Sequence, residues 1–331
     1  MARAVSPIAA PLYPPAMTGH AARIAPKALT LPWQDDAACC AIVDLGEAGE
    51  ADMIPDLPPI PLIGIGNPHH PLAPHVDLLL DSPAQLPSIE AAIAAQPHAA
   101  AILVQLLRLI AGMAMAPALV AESMAYGLLQ GSAGHAAWLA TRQPAPITAP
   151  GNVALEREGD TLHIRLDRAH AHNAIDRHMR DALHEAFAIA AMDRDITRIT
   201  LRGAGRSFCV GADLTEFGTT RDPATAHAIR MITLPAHEIA RCADRLDVHV
   251  QGGCVGSGLE MAAFAARLTA APDAWFQLPE LAMGIIPGAG GCVSLSRRIG
   301  RQRAALMIIS GRRISARTAL NWGLVDAIMD D

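Results

Sequence analysis

One lysine, Lys27, stands among the 26 cationic side chains of this 331-residue chain; all the others are arginine. A ligand phosphate must therefore be met by Arg, His or backbone N–H groups. Positive charge is also short overall. The net charge of −6 gives no basis for binding nucleic acid or an anionic membrane surface. No pair among the six cysteines has C-x-x-C spacing, and Cys39, Cys40, Cys209, Cys242, Cys254 and Cys292 match no zinc pattern. Reduced thiols in a cytoplasmic protein are the expectation. His69, His70 and His75 lie among prolines without regular spacing, which reads as a surface loop rather than a metal site. The longest apolar stretch, Ala99 to Val120, is broken by Gln105 and Arg108, so it reads as a buried helix rather than a membrane span. Gly64-Ile65-Gly66-Asn67 lacks the third glycine and the helix of a dinucleotide fingerprint.

Apolar residues are plentiful: 51% of the chain is hydrophobic, enough for a large core and more than one domain. Residues 1–35 are basic, acid-free before Asp35 and interrupted by Pro7, Pro11, Pro14, Pro15 and Pro26, which predicts a disordered or extended tail. Residues 36–142 read as a small α/β plus helical module. Cys40 to Leu45, Pro61 to Ile65 and Val76 to Leu80 are strand-like. Ser88 to Thr141 is helical, with Ser88 as N-cap and Pro97 and Pro117 as dividers. Residues 143–151 form a Pro-rich linker. From Asn152 onward strands alternate with helices: Thr161 to Leu166, the amphipathic stretch from Asp176 to Met192, Ile196 to Leu201 and Val248 to Val250. The fold class is α/β.

In this C-terminal region a pair of carboxylates stands alone in apolar sequence, each beside a glycine turn. Glu260 lies in Gly256-Ser257-Gly258-Leu259-Glu260-Met261-Ala262, and Glu280 lies in Leu278-Pro279-Glu280-Leu281-Ala282-Met283-Gly284. An isolated acid is costly to bury unless it is paired or used, so acid/base chemistry near helix N-termini is the functional reading. Structural alternatives stand beside it. Ser257-x-x-Glu260 fits a capping box. Glu280 could pair with an arginine, and Gly288 to Gly291 could be a simple turn. Cys209 has no histidine base assigned by any motif and reads as packing.

Residues 152–328 resemble the enoyl-CoA hydratase/isomerase (crotonase) superfamily through five motifs in order. These are Leu166-Asp167-Arg168-Ala169-His170-Ala171-His172-Asn173-Ala174-Ile175; Gly205 to Leu214, which includes Phe208-Cys209-Val210-Gly211-Ala212-Asp213; Gln251 to Glu260; Leu278 to Gly291; and Ser310 to Asp326. The resemblance implies a spiral of ββα turns, assembled as a trimer or a dimer of trimers. It also implies an acyl-CoA substrate with no metal or other cofactor. The oxyanion donors it implies are the N–H groups of Val210 and Ser257. Glu260 is implied as the base on the attacking water, and Glu280 as the acid that protonates C2. His170, His172, Ala174, Gly211, Ala212, Asp213 and Gly288 are implied to line the CoA and substrate site. Two acids favour hydration. Isomerisation, thioester hydrolysis or cofactor-free oxygenation through the same enolate are alternatives, as is a non-catalytic acyl-CoA-binding scaffold. Val210, Ser257 and Gln251 depart from the family's usual residues. Arg297, Arg298, Arg301 and Arg303 read as a solvated face, with CoA phosphates as the alternative partner. Family members usually continue past the Gly-Leu-Val segment with C-terminal helices. The Ser88 to Thr141 helices are expected to take their place, packing on the core and helping to hold an oligomer.

Overall fold

The computed structural model describes residues 17, 19–25, 29, 37–46, 57–143 and 149–330; most of the expected tail and the middle of the Pro-rich linker lie outside them. The N-terminal region opens with a parallel sheet in the order β1 (Ala21–Ile24), β2 (Cys40–Asp44), β3 (Leu62–Ile65), β4 (Leu78–Leu80). The unbroken apolar run of β2 buries four residues in succession, as a parallel strand covered on both faces requires. β1 corrects the tail expectation. Proline density argued against structure across residues 1–35, but the proline-free run Ala21–Ile24 pairs with β2 in register Ala21↔Cys40.

Four helices follow: α1 (Leu86–Ala95), α2 (Pro97–Leu109), α3 (Met115–Gln130) and α4 (Ala133–Ala140). Ser88 is not an N-cap. It lies inside α1, and its hydroxyl donates to the Gln85 carbonyl at 2.8 Å. Pro97 opens α2, where its missing N–H costs no bond. Pro117 falls in the first turn of α3, a position that tolerates it, so it does not divide the region; the break lies at residues 110–114.

From residue 152 a six-stranded sheet runs in the order β13-β10-β8-β7-β6-β5. Its strands are β5 (Asn152–Glu158), β6 (Thr161–Asp167), β7 (Arg198–Gly203), β8 (Leu246–Val250), β10 (Arg267–Ala270) and β13 (Ala327–Ile328). A second sheet holds β9 (Gly253–Val255), β11 (Trp275–Gln277) and β12 (Ile314–Ser315). The connecting helices are α5 (Arg177–Met192), α6 (Pro223–Thr233), α7 (Pro235–Cys242), α8 (Ser257–Ala262), α9 (Gly291–Ile299), α10 (Arg301–Ser310) and α11 (Ala316–Trp322). β5 and β6 form an antiparallel hairpin, and the neighbours that follow are parallel. α5 starts where its chemistry dictates: the Asp176 carboxylate accepts from Met179 N–H at 2.9 Å.

The N-terminal helices do not stand apart. α1 and α2 pack on α10, α2 and α3 on α9, and α3 also on α6 and α7. One apolar cluster runs continuously from Ile89, Leu103 and Leu119 to Phe187, Phe276 and Leu295. The expectation that these helices bury their apolar faces on the core holds within one subunit. A polar lock reinforces the contact. Asp77, 1% exposed, pairs with Arg108 of α2 and with Arg301 of α10, the latter at 2.7 Å. Arg301 also donates to the carbonyls of Pro74 and Val76. The arginine cluster is thus only in part the solvated face that was expected: Arg297 and Arg303 are exposed while bonding the Met113 and Trp322 carbonyls, whereas half-buried Arg301 and Arg298 are held by Asp77 and Asp326.

Candidate functional site

Glu260 sits on α8, which starts after Gly256 in a left-handed conformation (φ +50°). Helix geometry turns its carboxylate toward the Gly288–Gly291 turn. There Oε2 accepts from Ala289 N–H at 2.6 Å and Gly291 N–H at 2.8 Å, leaving Oε1 with no partner among the described residues. Those two bonds overturn the capping-box reading, because Gly256 occupies the N-cap position and the Ser257 hydroxyl has no partner among the described residues. Glu280 opens a single-turn helix, Glu280–Met283, and is 9% exposed. Its Oε2 is buried without a hydrogen bond, and no arginine among the described residues pairs with it, which removes the alternative of an ion pair. Its Oε1 lies against Gly256, where an added Cβ would approach to 2.8 Å.

The two acids face one cavity of about 480 Å³. Burial pushes the Glu260 carboxyl up to about 7, opposed by the two amides that favour its charged form. Glu280 is driven well above the usual carboxylate range, by burial first and by the Glu260 charge second, with nothing comparable to hold its anion. The pair is therefore differentiated: the acid with two N–H donors ionises first, and the bare one keeps its proton.

The oxyanion expectation needs a correction. The Val210 N–H is directed at the His172 carbonyl at 3.2 Å and is not available to a ligand. The next position that lines the cavity with an uncommitted N–H among the described residues is Ala212, held by its bridge to Ile175. The N–H of Ser257, at the first turn of α8, is likewise uncommitted, and the Ser257 hydroxyl is buried beside it. Gly211 N–H points weakly at the Cys209 thiol, 3.4 Å away. Cys209 itself is packing, as expected: it is fully buried, and burial pushes its thiol up to about 12.

Gly211, Ala212, Asp213 and Gly288 line the cavity as anticipated. The Asp213 carboxylate is committed elsewhere, to Arg168 at 2.8 Å and to Thr215 N–H at 3.0 Å. His170, His172 and Ala174 do not line the cavity, and both histidines are exposed. The buried residue in that motif is Asn173. Its amide donates to the carbonyls of Ala204, Ser207 and Phe208, and its left-handed backbone (φ +56°) turns the chain there.

α3 and α4 supply groups that the sequence reading did not assign. Glu122, 1% exposed, accepts from Gly290 N–H at 2.6 Å and Val293 N–H at 3.2 Å, so it shares the α9 N-terminus with Glu260. Burial and the Glu260 charge raise its carboxyl well above the ordinary range. Tyr126 lies flat on Gly288, where any Cβ would collide with the ring. His135 Nδ1 bonds the Met283 carbonyl at 2.9 Å, fixing the end of the turn that carries Glu280. The signal for Glu122 was present, since it is a lone acid in the apolar run of α3. Only the fold brings it to the Gly-rich turn.

A family model described as enoyl-CoA hydratase/isomerase matches residues 156–331. The chain is 33% identical over 182 residues to mevalonyl-coenzyme A hydratase SIDH of Beauveria bassiana, covering 51% of this chain and 64% of that protein. It is 32% identical over 174 residues to 2,3-dehydroadipyl-CoA hydratase of Escherichia coli K12, covering 53% and 68%. The crystal structure of an enoyl-CoA hydratase/carnithine racemase from Magnetospirillum magneticum superposes with a TM-score of 0.50 at 28% identity, over 54% of this chain and 68% of that one. The chain thus spans somewhat under two thirds of the length of the fungal relative. The matches leave most of the N-terminal region outside the shared stretch.

Proposed function

Because the chain belongs to the enoyl-CoA hydratase/isomerase family, we propose that it hydrates the C2=C3 double bond of an enoyl-CoA thioester. The observation that carries this reading is the pair of unlike carboxylates in one cavity: Glu260 held by two amides, and Glu280 buried with a free oxygen. Glu260, ionised, takes a proton from water as the oxygen attacks C3. Electron density moves through C2 into the thioester carbonyl, whose oxygen accepts hydrogen bonds from Ala212 N–H and Ser257 N–H. Each such donor is worth about 2.7–4 kcal/mol of barrier. Glu280 then gives its proton to C2. Water supplies the hydroxyl at C3, the proton it yields to Glu260 balances the one that Glu280 gives to C2, no electrons are transferred to or from the protein, and solvent exchange returns each acid to its starting state.

This division of labour explains why the sequence keeps both acids where one would suffice for shifting a double bond. The trimer or dimer of trimers that the resemblance implies belongs to the same proposal and is checked by light scattering of the purified protein. For the chemistry, Glu280→Gln and Glu260→Gln are each expected to lower kcat for crotonyl-CoA hydration by at least about a hundredfold with little change in affinity for the ester. Undiminished hydration in either variant refutes the assignment. A product whose double bond has moved, with no added water, replaces hydration by isomerisation.

A further inference from the structure

Three arginines line the cavity: Arg177, Arg180 and Arg230. The first two pair with carboxylates, Arg177 with Glu216 at 3.4 Å and Arg180 with Asp181 at 2.7 Å. Arg230 does not. Its Nε donates to the Ser123 hydroxyl at 2.8 Å, Nη1 to Gln130 Oε1 at 3.1 Å, and Nη2 to the Ser123 carbonyl at 3.0 Å. All three acceptors are neutral. Glu122, whose field reaches it, has both oxygens on the amides of Gly290 and Val293. A guanidinium carries five N–H donors, so two remain uncommitted among the described residues. The group is half-buried, and desolvation weighs against its charge more than any neighbour supports it. A desolvated cation held in place by neutral acceptors, on the wall of a ligand cavity, is poised for an anion that arrives with the ligand.

Its position identifies which end of the ligand. The Arg230 guanidinium stacks 4.7 Å from the centre of the Tyr126 ring. The same ring covers Gly288, next to Ala289, whose N–H holds Glu260. Arg230 is therefore linked to the Glu260 carboxylate through the Tyr126 ring and the Gly288–Ala289 backbone. The phosphates of coenzyme A are separated from the thioester by the whole pantetheine arm and cannot reach so near. We propose that Arg230 receives a carboxylate at the far end of the acyl chain, so that the favoured substrates are ω-carboxyacyl-CoA thioesters. This rests on the hydratase reading for the reaction but not for the binding.

The test is calorimetric and kinetic. Succinyl-, glutaryl- and adipyl-CoA are titrated against butyryl-, valeryl- and hexanoyl-CoA, with free coenzyme A as reference. The matching 2-enoyl esters are assayed for turnover. The carboxylated ester of the best-fitting length is expected to bind the natural protein about ten- to a hundredfold more tightly than its uncharged counterpart. Arg230→Met should bring that ratio to about one, and Arg230→Lys should restore some of it. Equal affinity for both series in the natural protein overturns the proposal and needs no folded variant. So does an Arg230→Met loss that falls equally on free coenzyme A, which would make the arginine a phosphate contact. If carboxylated esters bind preferentially but no enoyl ester is hydrated, the hydratase reading fails while the carboxylate receptor stands.

Discussion

At the scale of single residues, the proton inventory of the site follows from which carboxylate meets N–H groups. Glu260 and Glu122 share four amide contacts around the Gly288–Gly291 turn, whereas Glu280 Oε2 has none. Hydration should therefore fall on the acid side as Glu260 protonates near pH 7, and on the alkaline side, at higher pH, as Glu280 loses its proton. A pH–rate profile without an acid limb near neutrality would contradict the base role of Glu260. The same shift bears on stability. The Glu280 carboxyl is raised in the folded state, so folding retains a proton that the unfolded chain releases in the ordinary carboxylate range. That contribution is fully present below the unfolded value and is lost as pH rises toward the folded one. Glu280→Gln, which has no proton to lose, should accordingly melt above the natural protein at about pH 8 and converge with it toward about pH 4. Scanning calorimetry at the two values decides the matter: a Glu280→Gln melting point that stays below the natural one at both would show that the acid is structurally required.

At the scale of elements, the important contact is α3 against the turn that starts α9. Glu122→Gln replaces one accepting oxygen with an amide that donates, so it faces Gly290 or Val293 N–H with like polarity. The expected cost is roughly 1–3 kcal/mol of stability. Because the turn held by Glu122 also orients Glu260, kcat should fall more than KM rises; an unaltered kcat would show that Glu260 holds its place unaided. Gly288 gives an independent probe. An alanine there would drive its Cβ to 2.2 Å from the Tyr126 ring. Overpacking of this kind costs typically about 1–3 kcal/mol, and Tyr126→Ala in the same chain should recover some of it. Simple additivity of the two substitutions in denaturant melts would mean that ring and turn do not touch.

At the scale of the whole molecule, the N-terminal region is built into the region that carries Glu260 and Glu280 rather than hung from it. α3 holds the Glu260 turn, α4 holds the Glu280 turn through His135 and Met283, and Asp77 is clamped between Arg108 and Arg301. Deleting Met1 to Thr148 should therefore expose the faces of α9 and α10 that α1, α2 and α3 cover and leave Gly290 and Val293 N–H unmet. The expected result is an insoluble or inactive fragment, measured by yield of soluble protein and by crotonyl-CoA hydration. A soluble, fully active fragment would make the N-terminal region an appendage.

What the sequence determined by itself is local. The lone acids Glu260 and Glu280 beside glycine turns, the Asp176 cap of α5, the apolar runs of β2 and β3 and the five ordered motifs are all legible, because helix caps, strand alternation and the cost of burying charge act over a few residues. Tertiary structure decided the rest. Which amide is free could not be read from a motif: Val210 and Ala212 stand two residues apart in one loop, and only the approach of the His172 carbonyl removes the first. Proline content concealed β1, because its partner strand lies sixteen residues beyond it and supplies the bonds. The lone Glu122 looks like Glu260 in sequence, but its role depends on α3 crossing 168 residues of chain to meet Gly290. Arg230, likewise, is one arginine among many until folding surrounds it with neutral acceptors and places it on the cavity wall. Hydrogen-bond partners and electrostatic fields belong to neighbours in space, and a chain's order along its length does not specify who those neighbours are.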